Sequence, residues 1–538
     1  MITDFDILIR NGKVVDGTGC PWYRSDIGIK GDRIVAMGSL KDTKSKLIID
    51  ASSKFVTPGF IESHSHSDAT IAENPFAYSS LRQGVTTEVV GLCGASSIPM
   101  NETGKKFGAG GFGNFKNIKT LFGSTGEIFE KLEENGISEN VVWFVGHNTL
   151  RKLVGALGEE CTTDQLAEMK QILRTSLEAG AVGLSTGLEF FPGSLAPTSE
   201  ISELLNVVAE FDGVYASHTR NRDEHILEAS DEFIQLIRKH NLRGMFSHLN
   251  VRYNTGAPDG AWETVIGMIE SARKDGFTIQ TDMGYIEKGI GNVAAILPQW
   301  VREGGWRETQ NRLRDPDVRK KLRTDCDRYW RFIHRGEWDR LAIQSNPAHP
   351  EINGLSLPEI AKLWKKDEWD CLFDIFADAG ESLDSVVGLG KTFTEEHIIE
   401  TLTHPLYSYI IDGYTTNVGT VLAEQTRFPL HYSGMVRLFT VLVREKGVFT
   451  LEEAVRKVTT MPAGFYHIFD RGLLRPGCFA DINIFDLNNL KENATYQEPA
   501  QYSEGFDYVI VNGTPVIVED KHTLATPGKN IRFNVPVE

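Results

Sequence analysis

Eight short apolar runs, each followed by a stretch of helix formers, fill the middle of the chain and leave it little choice of fold. They lie at 59–64, 86–92, 141–146, 181–185, 214–217, 243–247, 277–282 and 408–412. Strand-like runs alternating with helices are the pattern of a parallel sheet wound by crossover helices. Eight of them predict an α/β protein built on a (β/α)8 TIM barrel. In such a barrel the chemistry sits at the C-terminal ends of the strands, so those ends are where candidate residues are sought.

The interval 290–400 is too long for one crossover and is rich in helix formers and tryptophan. It is expected to be a helical insertion over the barrel mouth, serving either as a structural addition or as a substrate lid. Short strands with turn residues between them occupy residues 5–51, with Asn11-Gly12 read as a turn. Similar strands return at 480–485, 508–512 and 515–518. The two ends are expected to pair into one small sheet domain, 1–56 with 470–538, flanking a catalytic unit over 57–469. Gly108-Ala-Gly-Gly-Phe-Gly113 lacks the following Gly-Lys-Ser/Thr and the strand-to-helix setting of a nucleotide loop, and reads as a flexible loop.

Charge and cysteine usage exclude several classes. A net charge of −17 argues against nucleic acid or an anionic membrane as partner and leaves a small molecule as the expected one. The six cysteines are scattered, with no C-x-x-C pair, which suits a reducing compartment. The first residues lack a basic segment followed by an apolar one, and no run of 18 apolar residues occurs, so the cytoplasm is the expected location. A homo-oligomer is compatible with these features.

Polar residues gather at the strand ends. His64 and His66 follow strand one and, two residues apart, would share a face. Cys93 follows strand two, His147 strand three, His218 strand five and His248 strand six, and Asp412 ends strand eight. Imidazole and thiolate are zinc-type ligands, and a barrel turns all of these positions toward one face.

These residues sit in motifs that resemble the amidohydrolase superfamily, and within it the D-aminoacylase (N-acyl-D-amino-acid deacylase) branch. The carriers are Thr57-Pro-Gly-Phe-Ile-Glu-Ser-His-Ser-His-Ser-Asp68, Gly84–Gly94 through Cys93, Val145–Arg151, Gly183–Leu188, Ala216–Asn221, Ser247-His248, Arg471–Asp481 and Val511-Asn-Gly513. The resemblance implies a metal-dependent barrel with a small β-sandwich built from both chain ends. It implies a tight zinc site at Cys93, His218 and His248, and a weaker second position at His64, His66 and Cys93. Asp412 would be the general base and acid in cleaving an amide C–N bond.

The departures from the branch fall at substrate positions. His248-Leu249-Asn250 stands where the family has His-His-Lys, so a cation is replaced by Asn250. Met283-Gly284-Tyr285 keeps only the last residue of Tyr-Pro-Tyr, Phe190 replaces a frequent tyrosine, and His431-Tyr432-Ser433 lacks the arginine of His-Pro-Arg. His147, Phe190, Asn250, Arg252 and Tyr285 are therefore the candidate substrate residues, with Arg222 and Arg427 as further cations. The substrate is expected to be an N-acyl-D-amino acid or a related amide. The alternatives are a cyclic amide, a neutral N-acyl amine, and a non-catalytic scaffold, the last disfavoured because every metal-type residue is present.

Overall fold

The computed structural model describes residues 4–110, 121–303, 305–325, 330–425 and 427–533. Each of the eight expected runs contributes a barrel strand: Phe60–Glu62, Val85–Val90, Asn140–Gly146, Gly183–Gly187, Val214–His218, Arg243–Phe246, Ile279–Met283 and Tyr407–Tyr409. They pair in sequence order, each parallel to the next. Nearly every residue in them is buried, as a parallel sheet covered on both faces requires.

The seam between strand one and strand eight is held just beyond the strands. His66 N donates to Gly413 O at 2.8 Å, and Ser65 bridges Gly413. The Glu62 carboxylate accepts the backbone N–H groups of His64 at 3.1 Å and Ile411 at 2.8 Å.

The crossover helices carry their apolar residues on one stripe. Ile226–His240 buries Ile226, Ala229, Phe233, Ile234 and Ile237, a 3–4 spacing that turns one face to the sheet. Asn241 ends it by taking φ 51° and donating to Ile237 O, and Arg238, Lys239 and His240 suit the negative end of the helix dipole. Phe233 packs on Tyr215 and Phe246 with ring centres 5.4 and 5.1 Å apart, and its truncation to alanine would cost about 3–5 kcal/mol.

Both chain ends meet in one nine-stranded mixed sheet. Ile482–Phe485 and Phe506–Val511 from the C-terminal end continue through Phe55–Pro58 into Asp4–Val14, Tyr23–Lys30 and Arg33–Gly38 from the N-terminal end. The sheet rolls on itself, because Ile27, Ile29 and Ile34 share one apolar core with Ile482, Ile484 and Ile510. Asn11-Gly12 proves to be a bulge inside Asp4–Val14 rather than a turn, with Asn11 at φ 63°. That strand is paired on both sides, so the chain continues through the kink; a Cβ at Gly12 would lie 2.5 Å from Val56 Cγ2.

The insertion between strands seven and eight is only partly helical. It contains Trp306–Arg314, Leu357–Trp364 and Glu368–Ala379, but also a three-stranded antiparallel sheet of Lys288–Asn292, Leu341–Ser345 and Val387–Lys391. Glycines alternate in Lys-Gly-Ile-Gly-Asn and Val-Gly-Leu-Gly-Lys, which hides the period-two apolar signal of a strand. The insertion has its own core, against which Trp300, Trp338, Trp364 and Trp369 pack. Cys326 and residues 111–113 of the glycine-rich segment lie outside the described residues.

A buried ion pair within the end-sheet unit reaches the barrel through Asn140. Arg471 binds Asp481 and Asn512 Oδ1, while Asp481 also accepts from Asn140 Nδ2 of strand three at 3.4 Å. Arg471→Met leaves that carboxylate buried and unpaired, and is expected to cost about 3–5 kcal/mol in urea unfolding. Arg174→Met, which breaks the exposed pair with Glu210, is expected to cost less than about 1 kcal/mol.

Candidate metal centre

Because the strands are parallel, their C-terminal ends deliver side chains from distant parts of the chain to one point. Cys93 Sγ lies 3.3 Å from His64 Nε2, 3.3 Å from His248 Nε2 and 3.7 Å from His218 Nδ1. His218 Nδ1 and His248 Nε2 are 3.0 Å apart. On the other side His66 Nε2 is 3.2 Å and His64 Nε2 3.8 Å from Asp412 Oδ1. Two overlapping donor sets result, His64/Cys93/His248 and His64/His66/Asp412, each within 4.8 Å. His64 belongs to both, and Asp412 completes the second set where Cys93 was expected.

The backbone bends to reach this arrangement. Cys93, His248 and Asp412 have φ of 51°, 37° and 55°, left-handed values that cost of order 1–3 kcal/mol each and persist where the surroundings enforce them. Gly187 makes room for the Cys93 turn, since a Cβ there would lie 1.9 Å from Cys93 O.

Burial does not keep Cys93, His66 and Asp412 neutral. Burial pushes the Cys93 thiol up, but positive charge on His64 and hydrogen bonds from His218 and His248 hold it well below the usual thiol range. Burial disfavours a charged His66, yet hydrogen bonds to Asp412 and Cys93 raise it to about 9. Asp412, opposed by burial, is drawn below the usual carboxylate range by His64 and His66. Burial and the Arg222 guanidinium take His248 the other way, down to about 3.

This is chemistry that fits a divalent ion. Thiolate and carboxylate attract positive charge into a buried space, and a metal ion supplies it without protons. Tetrahedral bonds of about 2.0–2.3 Å separate zinc ligands by roughly 3.3–3.8 Å, close to the spacings around Cys93.

Carboxylates behind the rings orient them. Asp282 Oδ2 sits 3.2 Å from His64 Nδ1, and Asp282 Oδ1 accepts the backbone N–H of His248. Glu189 Oε2 lies 2.6 Å from His218 Nε2. Neither acid was assigned from the sequence. Asp282 ends an apolar run and was findable as a carboxylate at a strand end; Glu189 follows strand four with nothing in the sequence to pair it with His218.

The expected substrate residues separate. Phe190 is beside the centre, its ring 4.6 Å from that of His218. Asn250 is buried, donating to Met283 Sδ at 2.9 Å and accepting from Arg222 at 3.4 Å. Arg252 is buried and ion-paired to Glu189 at 2.5 Å and Asp223 at 2.9 Å, so its charge is neutralised internally rather than offered to a substrate. Tyr285 donates to Glu395 and lies against Arg437. His147 is turned away: fully buried, its Nε2 is 2.7 Å from Glu200, which also binds Arg151. Following strand three places its backbone on the rim, but its helix points the ring into packing. Arg427 is half-exposed on Glu424.

Asp282→Ala would strip acceptors from a buried ring and a buried backbone N–H, each worth about 1–3 kcal/mol. Chemical denaturation of the metal-free protein is expected to show a larger loss for Asp282→Ala than for Asp282→Asn, which keeps an acceptor oxygen. The reverse order would count against this hydrogen-bonding role.

Comparisons with known proteins show what the chain as a whole is similar to. The amidohydrolase family matches residues 417–517. The chain is 29% identical over 535 residues to an N-acyl-D-glutamate deacylase of Alcaligenes xylosoxydans xylosoxydans, covering 99% of this chain and 97% of the relative. It is 28% identical to a D-aminoacylase of the same organism, over 96% of each. The crystal structure of N-acyl-D-glutamate deacylase from Bordetella bronchiseptica, complexed with zinc and a phosphonate inhibitor, superposes with a TM-score of 0.80 at 27% identity, over 98% of this chain and all of that one. Among the described residues no helix is long and apolar enough to cross a membrane. The resemblance first carried by the motifs around His64 and Cys93 thus extends along nearly the whole chain, in sequence and in fold: the chain is similar throughout to the D-aminoacylases and N-acyl-D-glutamate deacylases, and its residues 417–517 match the amidohydrolase family.

Proposed function

We propose that the chain hydrolyses the amide bond of a small N-acyl amine at the centre formed by His64, His66, Cys93, His218, His248 and Asp412. The convergence of these six side chains carries the reading. Cys93, His218 and His248 would hold a tight zinc ion, and His64 and His66, with Asp412 or Cys93, a weaker second one. A bound zinc ion supplies Lewis-acid charge at this point.

The chain's own residues supply the proton steps. Asp412, drawn to its anionic form and with its side chain 30% exposed, can take a proton from the attacking water at Oδ1. It then delivers that proton to the leaving nitrogen, since amine expulsion requires protonation. His66 Nε2, 3.2 Å away, keeps the carboxylate turned to the centre. The left-handed backbone at Asp412 and the Glu62 link to Ile411 aim it there.

The substrate class supported by the relatives is an N-acyl-D-amino acid. A specific observation favours a second reading, a neutral N-acyl amine. Asn250 replaces the family's cation and Arg252 is spent on Glu189 and Asp223. A charged hydrogen bond to a carboxylate contributes about 1.5–3 kcal/mol, so its loss weakens that substrate ten- to a hundredfold. The barrel unit over 57–469 carries the chemistry in either case, and the end-sheet unit, 1–56 with 470–538, supports it. A cytoplasmic setting and the absence of a nucleic-acid partner go with the same reading.

The test is hydrolysis of N-acetyl-D-amino acids beside their carboxamides, before and after metal removal. Chelation is expected to abolish turnover and zinc to restore it; Asp412→Asn is expected to lower kcat about 10²–10⁴-fold with KM changed only a few-fold. Preference for the free acids supports the first substrate class, and preference for the carboxamides the second. A protein that binds no transition metal on reconstitution would overturn the proposal.

A further inference from the structure

Resting on the metal reading above, one network of buried charges remains without a task. Glu189, two residues beyond strand four, has its side chain 9% exposed and touches three positive or polar groups at once. Its Oε2 lies 2.6 Å from His218 Nε2, and both of its oxygens meet Arg252, at 2.8 and 2.5 Å. Arg252 is anchored in turn by Asp223 at 2.9 Å, and Asp223 by the Thr255 hydroxyl at 2.5 Å. Arg222 Nη2 is 3.8 Å from the same Glu189 oxygen. The turn that presents Glu189 is tied to strand five, with Leu188 N donating to His218 O at 2.9 Å.

The two histidines that meet beside Cys93 are backed in opposite ways. His218 has a carboxylate behind it, whereas His248 Nδ1 faces the Arg222 guanidinium at 2.8 Å. A histidine that donates its far N–H to a carboxylate is locked in one tautomer and made a stronger ligand, and loss of such a partner typically costs 10- to 100-fold in metal affinity. We propose that Glu189 is a positioning residue for the metal centre: its carboxylate holds His218 with Nδ1 turned to Cys93 and His248, and raises that ring's strength as a ligand. Arg252, bonded to both Glu189 oxygens, keeps that carboxylate in place, which gives Arg252 a role inside the protein rather than at the substrate.

The experiment is zinc titration of metal-free wild type, Glu189→Gln, Glu189→Ala and Asp223→Asn against a chromophoric chelator, with thermal unfolding of each metal-free protein and the visible spectrum of each cobalt(II) form. Glu189→Gln and Glu189→Ala are expected to weaken zinc binding about 10- to 100-fold and shift the cobalt spectrum. Asp223→Asn, which disturbs the same arginine without touching His218, is expected to stay within threefold of wild type. If Glu189→Ala does not fold, the near-isosteric Glu189→Gln decides. Folded Glu189 variants that bind zinc within threefold of wild type, or an equal loss in Asp223→Asn, would overturn the inference. Failure of wild type to bind zinc would instead overturn the metal reading beneath it.

Discussion

The barrel closes at one buried carboxylate, and the site depends on that closure. Glu62, at the end of the first strand, accepts N–H groups from His64 just beyond it and from Ile411 beyond the last. Burial pushes its carboxyl well above the usual range, opposed by those same N–H donors. The contact joins positions nearly 350 residues apart and brings His64, His66 and Asp412 within reach of one ion. A barrel left open there would still present Cys93, His218 and His248, but it would lack Asp412.

The site is held in tension by the protein around it. Three of its side chains hang from left-handed backbone, and several charges are buried together. Such an arrangement is costly unless each charge has a partner. The partners are Asp282 behind His64 and Glu189 behind His218, while burial and the Arg222 behind it keep the His248 ring neutral. Packing of the crossover helices and the end sheet supplies the stability against which this cost is set.

How much was legible in the sequence follows from the range of each interaction. The barrel was legible because strand and helix periods repeat locally, and the candidate ligands because barrel geometry maps strand ends to one face. The ion pairs of Arg252 and the burial of His147 against Glu200 were not, because partner choice between side chains distant in sequence leaves no local mark. The small sheet of the insertion was missed for another reason: two of its three strands are glycine-rich, and the apolar alternation that announces a strand is thinned out there.

By itself, then, the sequence determined the architecture, the kind of ligand at each strand end and the loss of a cation at Asn250, since all of these rest on residue identity and local period. Only the tertiary structure decided which donors lie within reach of one ion, with His64 common to both sets, and which charges are already paired within the protein. The reason is that distances between strand ends are set by barrel closure and packing, and a buried charge takes its meaning from neighbours that the fold alone brings to it.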